Sequence, residues 1–398
     1  MKQTALSRLP ASVWVLGIVS LLMDTSSELI HSLLPLFLVT TLGVSTFAVG
    51  IIEGIAEATA MITKLFSGYL SDYVRRRKPL TVLGYGLAAL TKPIFPLASS
   101  FGSVVFARFL DRVGKGIRGA PRDALLVDDV NEDLRGRVFG FHRAMDTLGA
   151  VVGPLLGLVG YELLDHQIPP LLYVAIVPAV LSVALVFLAR ERGRPVPRPQ
   201  RQSMWTGVRR LPRPYWRVTA LLVGFSVVNF PDALLLLRLN EIGFSVAQVI
   251  LAYVGYNAVY ALASYPAGSL ADRVGRPALF GLGLTFFAIG YTGLGLTTDT
   301  VTAWLLIGAY GLFTGCTDGV GKAWISGLVD QEHQASAQGV FQGGTGLAVL
   351  VAGLGAGVLW GSDGQLPLLI SGLAGGVFAV MLIGGQLVRG MRTGSRPQ

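Results

Sequence analysis

A single cysteine, Cys316, stands in a chain of 398 residues. That excludes an intramolecular disulfide and any cysteine-cluster metal site. Histidine is nearly as scarce, with four in the chain, and no His-rich tail is present. Neither an H-E-x-x-H nor a G-x-S-x-G stretch occurs, and His333 sits alone in a loop, so zinc-protease and serine-hydrolase chemistries lack their residues. A Walker A sequence is also missing, which removes ATP as a driving force. No loop is long enough for the soluble domain that a membrane sensor would carry. The deepest deficit is charge: only 14% of residues are Asp, Glu, Lys or Arg, against 52% hydrophobic. A soluble chain of this length needs a charged surface that this one cannot build.

What is present instead is a succession of apolar runs, with a mean hydropathy of +0.60. About twenty apolar residues cross a bilayer as a helix. The runs predict spans near 12–38, 47–70, 79–98, 102–125, 138–161, 168–189, 216–238, 246–267, 277–296, 301–327, 338–360 and 366–388. The fold class expected is therefore an all-α integral membrane protein of twelve spans. The 51 glycines suit close helix packing in lipid. The short alternating segments of a β-barrel do not occur. The first apolar segment is followed by Asp24 and Glu28 with no small-residue cleavage site, and reads as the first span rather than a signal peptide.

A net charge of +9 invites a nucleic-acid partner, but its placement argues against one. Basic residues gather in alternate loops: Arg75, Arg76, Arg77 and Lys78; Arg135 and Arg137; nine arginines from Arg190 to Arg217; Arg273 and Arg276; Arg389, Arg392 and Arg396. The loops between them, near 41–47, 99–101, 162–167, 240–245, 297–300 and 361–365, carry no Lys or Arg and hold Glu162, Asp165, Glu241, Asp299 and Asp363. This is the positive-inside pattern. It predicts a multi-pass protein of the bacterial inner (cytoplasmic) membrane with both termini cytoplasmic, which requires an even number of spans.

The halves repeat at an offset of about 200 residues: Leu42-Gly43-Val44-Ser45 matches Ile242-Gly243-Phe244-Ser245, and Leu126-Val127-Asp128 matches Leu328-Val329-Asp330. Expected domains are an N-terminal six-helix bundle over 1–189, a basic Pro/Arg-rich cytoplasmic linker over 190–215, and a C-terminal six-helix bundle with a short tail over 216–398. The linker's basic residues are also attracted to anionic lipid. Repeats of this kind place a substrate site at the midplane between halves.

Residues 68–80 read GYLSDYVRRRKPL, and 268–277 read GSLADRVGRP. Both resemble the major facilitator signature G-x-L-x-D-x-x-G-R-[RK], the second nearly letter for letter, while the first has Arg75 where the internal Gly is expected. The chain is thereby identified as a member of the major facilitator superfamily. Gly68, Asp72 and Arg76, with Gly268, Asp272 and Arg273, are the implied gating positions. The fourth span holds Arg112-Val-Gly114-Lys115-Gly116-Ile-Arg118-Gly119-Ala120. It resembles the R-x-x-x-G-x-G-A element of drug/proton antiporters, with Lys115 in place of Gln and Arg118 extra. The resemblance links Arg112 to proton transfer. The fifth span holds Gly149-Ala-Val-Val-Gly153-Pro154-Leu-Leu-Gly157, similar to the antiporter motif G-x-x-x-G-P-x-x-G, a pliant helix seam. Gly149 and Gly153 share a face suited to close packing, and Pro154 bends the helix.

Ionisable residues inside a bilayer are costly and are functional candidates. Asp24, Glu28 and His31 fall on one face of the first span. The second span carries Glu53, Glu57 and Lys64. The fourth carries Arg108, Asp111, Arg112, Lys115 and Arg122 along a stripe, with Arg118 beside it, and the fifth carries His142 and Asp146 at i, i+4. The expectation is that the acids of the first span face the bases of the fourth across a central cavity. Lys64, Arg118, Arg122 and Asp123 are expected near the cytoplasmic end, snorkelling or capping loops. The C-terminal half offers Asn229, Asp232, Arg238 and Asn257, and an Asp318/Lys322 pair at i, i+4. Tyr253, Tyr256, Tyr260, Phe341 and Trp360 are expected in lipid-facing or bundle-core roles.

A buried carboxylate is pulled two ways: desolvation favours its neutral form and a nearby arginine its charged form. A rocking motion that alters such a pair takes up or releases a proton. Asp24, Glu28, Arg108 and Arg112 are assigned to proton coupling. Glu53, Glu57, His31, Lys115, His142, Asp146, Asn229 and Asp232 are assigned to the substrate cavity. The function expected is proton-coupled export of a small cationic or amphipathic compound by a monomer with no cofactor. Its partners are the substrate, protons and membrane lipid. A divalent metal or metal chelate held by Asp24, Glu28, His31, His142 and Asp146 is the alternative. An organic anion drawn to the fourth span's cations ranks below both.

Overall fold

The structure is a computed structural model that describes residues 9–74, 77–127, 130, 135–189, 191, 208, 210–330, 333–361 and 363–394. Every regular element among them is helical. In chain order these are α1 (Ala11–Leu36), α2 (Thr46–Val74), α3 (Arg77–Thr91), α4 (Ile94–Leu97), α5 (Phe101–Val127), α6 (Arg135–Leu163), α7 (Ile168–Leu172), α8 (Ile176–Val186), α9 (Arg213–Ser226), α10 (Asp232–Ile242), α11 (Val246–Val274), α12 (Arg276–Leu296), α13 (Thr300–Ser326), α14 (Gln334–Leu359) and α15 (Gln365–Gly394).

Among the described residues, ten helical stretches are long and apolar enough to cross a membrane. Two further segments complete the expected twelve. One is α5, whose charges interrupt an otherwise apolar run. The other is the pair α9 and α10, each of which is short. Joining α3 to α4, α7 to α8 and α9 to α10 as single spans gives the twelve rods read from hydropathy.

Proline explains where those spans depart from straight helices. The seventh, expected unbroken over 216–238, is interrupted at 227–231. Pro231 has no amide to donate, and the residue before a proline is steered away from helical geometry. The third span stops at Thr91 and resumes after Pro93. The sixth passes through a 3₁₀ turn at Tyr173–Ala175, just ahead of Pro178. Caps fix other ends. Ser245 and Gln248 form a reciprocal capping box at the start of α11, with bonds of 3.3 and 2.9 Å. Asp299 accepts from the Thr302 amide at 2.7 Å to start α13.

The chain divides into two compact units, 1–45 with 55–199 and 46–54 with 200–398. In the first, α1 packs along α6 and α8, and α3 along α5. In the second, α12 packs along α13 and α15, and α11 along α13. Of the basic segment at 190–215, residues 190, 192–207 and 209 lie outside the described residues.

Candidate functional site

The first unit gathers its charges into pairs. Asp24 on α1 receives a hydrogen bond from Nη2 of Arg118 on α5 at 3.4 Å. Arg118 is buried, with its guanidinium 4.4 Å above the ring of Tyr85 on α3. That stacking requires α3 and α5 to lie close together, and glycine permits it: a Cβ on Gly84 would stand 2.7 Å from the Arg118 Cβ. One turn on from Glu28, His31 Nδ1 lies 2.6 Å from Arg108 Nη2. Arginine only donates, so Nδ1 is the acceptor and the ring proton sits on Nε2. Arg112 Nη2 reaches Glu57 Oε1 on α2 at 3.6 Å.

These contacts alter the expected arrangement. Asp24 and His31 of α1 touch bases of α5 directly instead of facing them across open space. Arg118, expected to snorkel at a helix end, is the partner of Asp24. Arg108 and Arg112 are buried, while Asp24 and Glu28 are partly open, Asp24 with 20% of its side chain exposed. Arg122 grips Asp123 through Nε and Nη2 at 3.0 and 2.9 Å and donates to Ser20 at 3.0 Å. Lys115 and Lys64 are exposed. Glu53 is buried in the stretch of α2 that groups with the second unit.

One pair escaped the sequence reading. Lys92, between α3 and α4, donates to Asp111 at 2.8 Å and to Ser27 at 3.0 Å, all three buried. The available signal was a lone lysine inside the run 79–98. Its partner, 19 positions away, is invisible to helical periodicity.

The fifth-span glycines sit directly behind Asp24. A Cβ on Gly149 would lie 2.7 Å from the Leu21 carbonyl and 3.0 Å from the Asp24 Cβ, and one on Gly153 would lie 2.4 Å from the Thr25 carbonyl. Backbone therefore meets backbone along α1 and α6. Pro154 follows inside α6. On the same helix His142 Nδ1 is 3.4 Å from Asp146 Oδ2. Asp146 shares the electrostatic surroundings of Asp24 with Arg118, Lys115 and Glu28.

In the second unit the polar groups collect at the break in the seventh span. Asp232 opens α10 and accepts from the Tyr256 hydroxyl. Asn229, within the break, accepts from Tyr291 at 3.3 Å, and Tyr291 also reaches the Phe230 carbonyl at 3.3 Å. The Tyr256 ring packs edge-on against Tyr253 and Tyr310. Half-helix ends beside a cavity are a recurrent way of holding polar cargo. Trp360 donates to Glu241 at 2.8 Å. Buried Arg238 clamps the carbonyls of Leu294, Asp363 and Thr297 at 3.0, 2.6 and 3.2 Å, gathering three chain segments. Asp318 and Lys322 pair at 2.6 Å, as their i, i+4 spacing predicts, and Tyr260 adds a bond of 2.9 Å to Asp318.

Of the repeated signature, Gly275 ends α11 at φ 91°, a conformation that glycine adopts without strain. This turns the chain into α12, where Arg276 donates to the Ala323 carbonyl at 2.8 Å. Asp272 and Arg273 are exposed, and a Cβ on Gly268 would meet nothing within 4 Å. The surroundings of Gly68 and Asp72, and all of Arg76, lie outside the described residues. Among the described residues no three His, Cys, Asp or Glu side chains group to hold a metal ion.

The sequence profile of the Major Facilitator Superfamily matches residues 16–239 and 233–389. An uncharacterized MFS-type transporter of Methanocaldococcus jannaschii is 31% identical over 382 residues, covering 94% of this chain and 95% of that one. The multidrug resistance protein MdtH of Photorhabdus laumondii is 24% identical, covering 87% of each chain. The crystal structure of the nucleoside transporter NupG superposes with a TM-score of 0.76 at 14% identity, over 94% of this chain and 99% of that one, a likeness of fold. With twelve helical rods and both halves matched, this chain belongs to the Major Facilitator Superfamily, and it is a multi-pass membrane transporter rather than an enzyme.

Proposed function

We propose that this transporter exports a small cationic or amphipathic compound in exchange for protons, by alternating access of its two bundles. We place it in the bacterial cytoplasmic membrane as a monomer, its basic loops and termini facing the cytoplasm and anionic lipid. The carrying observation is the Asp24–Arg118 contact at 3.4 Å: a carboxylate partly open to its surroundings, held by one buried guanidinium, and backed by the Gly149/Gly153 seam. A proton and a guanidinium compete for the same carboxylate oxygens. When α6 shifts against α1, the Arg118 contact loosens and Asp24 takes a proton. When it closes, the proton leaves. Glu28 and Asp146 lie in the same electrostatic surroundings as Asp24. Arg108 and Arg112, held by His31 and Glu57, keep the positive field of α5 fixed around this exchange.

Cationic cargo is favoured by the carboxylates of both units and by the aromatic hydroxyls around Asp232. Outward direction draws support from the likeness to a relative named for multidrug resistance. The divalent-metal alternative loses ground because His31 is engaged by Arg108 and His142 by Asp146. The organic-anion alternative loses ground because four of the five cations on α5, Arg108, Arg112, Arg118 and Arg122, are engaged, with Lys115 the fifth.

The test is proteoliposomes with an imposed pH gradient, offered ethidium, nickel ions and benzoate in turn. Gradient-driven movement of ethidium is expected, with Asp24→Asn abolishing the response to the gradient while ethidium exchange at equal pH continues. Full gradient-driven transport in Asp24→Asn would overturn the coupling assignment. Movement of nickel or benzoate in place of ethidium would overturn the cargo.

A further inference from the structure

We propose that Lys322 is a tethered ammonium occupying a cation subsite formed by Asp318 and Tyr260, and that a cargo bearing N–H groups, a primary or secondary ammonium, displaces it. This rests on the reading that the cargo is cationic. It adds a site that neither the proton-coupling pair nor the break in the seventh span supplies.

The geometry is that of a filled binding site. Each Asp318 oxygen has its own donor: Lys322 Nζ on Oδ1 at 2.6 Å, and the Tyr260 hydroxyl of the neighbouring helix α11 on Oδ2 at 2.9 Å. The hydroxyl fixes the carboxylate's orientation, so the first oxygen presents a set direction to whichever ammonium arrives. An exposed i, i+4 pair stabilises a helix by only a few tenths of a kcal/mol. Charges within a span cost far more than that, so helix stability is a weak reason for this pair.

The lysine is built to leave. Its backbone is pinned: Gln338 donates to the Lys322 carbonyl at 2.7 Å, and Arg276 to the adjacent Ala323 carbonyl at 2.8 Å. Its head is not enclosed, with 45% of the side chain exposed against 33% for Asp318. A long flexible stem can carry the ammonium away without moving the helix. Room for a replacement lies alongside, because Gly319 is exposed and a Cβ there would meet nothing within 4 Å. The contact observed is a short N–H···O bond, which a quaternary ammonium cannot make.

The experiment measures binding of benzylammonium and benzyltrimethylammonium to detergent-purified protein by calorimetry. In Lys322→Met, benzylammonium is expected to bind about tenfold tighter than in wild type, with the quaternary ion gaining less than about threefold. Adding Asp318→Asn to that variant should erase the gain, and Gly319→Leu in the wild type should weaken binding at least about fivefold. A second readout needs no variant. On the wild-type protein, benzyldimethylammonium, which keeps one N–H but forms no stable amide, should speed amine-selective acylation of Lys322, because displacement frees its nitrogen. Unchanged or weaker binding in Lys322→Met, an equal gain for the quaternary ion, or slower acylation would each overturn the proposal. Proton coupling is read separately, through gradient-driven transport in Asp24→Asn, so either idea can fail while the other stands.

Discussion

Replacing Gly153 by alanine tests whether the α1–α6 seam is as tight as it looks. The added Cβ would stand 2.4 Å from the Thr25 carbonyl oxygen and 2.9 Å from the Leu29 amide nitrogen. Both are backbone atoms, so no rotamer change relieves the overlap. Ordinary contact begins near 3.4 Å, and α1 must retreat by about 1 Å. Forcing extra volume into a packed interface costs about 1–3 kcal/mol. Alanine returns about 0.5–1 kcal/mol through its better helix propensity. The control is Gly140→Ala on the same helix, where the new methyl would meet nothing within 4 Å and only the propensity gain applies. The two variants should therefore differ by about 1–3 kcal/mol, or about 3–10 °C in a detergent thermal melt. The retreat also moves Asp24, one residue before Thr25. Its 3.4 Å contact with Arg118 has no slack, so gradient-driven transport should fall more steeply than thermal stability. A Gly153→Ala protein that melts with Gly140→Ala would refute the seam.

Two further outcomes follow from charges away from that seam. Lys92→Met leaves Asp111 buried without its ammonium and should cost about 3–5 kcal/mol in thermal or denaturant unfolding, whereas Lys92→Met with Asp111→Asn should recover more than half of it. Glu241, in the last turn of α10 and in the stretch 240–245 read as a loop outside the membrane, has its carboxyl pushed above the usual carboxylate range by burial, against the pull of Trp360 and Arg238. The folded protein thus holds this proton more tightly than the unfolded chain. Wild type should gain stability as pH falls from neutral through that raised value toward 4.5, and Glu241→Gln should flatten this part of the melting-temperature profile. A profile that the substitution leaves unchanged would count against the raised value.

The spans were readable from hydropathy because a bilayer demands about twenty apolar residues whatever their partners. Thus 277–296 and 301–327 fall within a residue of Arg276–Leu296 and Thr300–Ser326. The break at 227–231 was carried by Pro231, but its flanks are apolar enough to read as one continuous run. Periodicity placed Asp24, Glu28 and His31 on one face, and they share it. It could not name their partners. Position toward a helix end suggests that Arg118 snorkels, whereas Gly84 lets α3 approach and brings Tyr85 over a buried guanidinium. Lys92 meeting Asp111 and Tyr260 meeting Asp318 are likewise matters of which helices touch, information that a single helix does not contain.

The internal repeat makes the same point about function. The second copy of the signature, at 268–276, has a strict physical job: Gly275 turns the chain at positive φ and Arg276 caps the neighbouring helix. A six-helix unit needs such a turn. It does not need any particular set of polar groups in its interior. The first unit accordingly buries Lys92 with Asp111 and His31 with Arg108, while the second breaks a helix and surrounds Asp232 with tyrosine. Family membership follows from the turns and rods that the halves share, whereas cargo must be sought in the intramembrane groups where they differ. That is why Asp24, held by an arginine, Asp232, by a tyrosine, and Asp318, by a lysine and a tyrosine, are more informative targets for substitution than the signature loops.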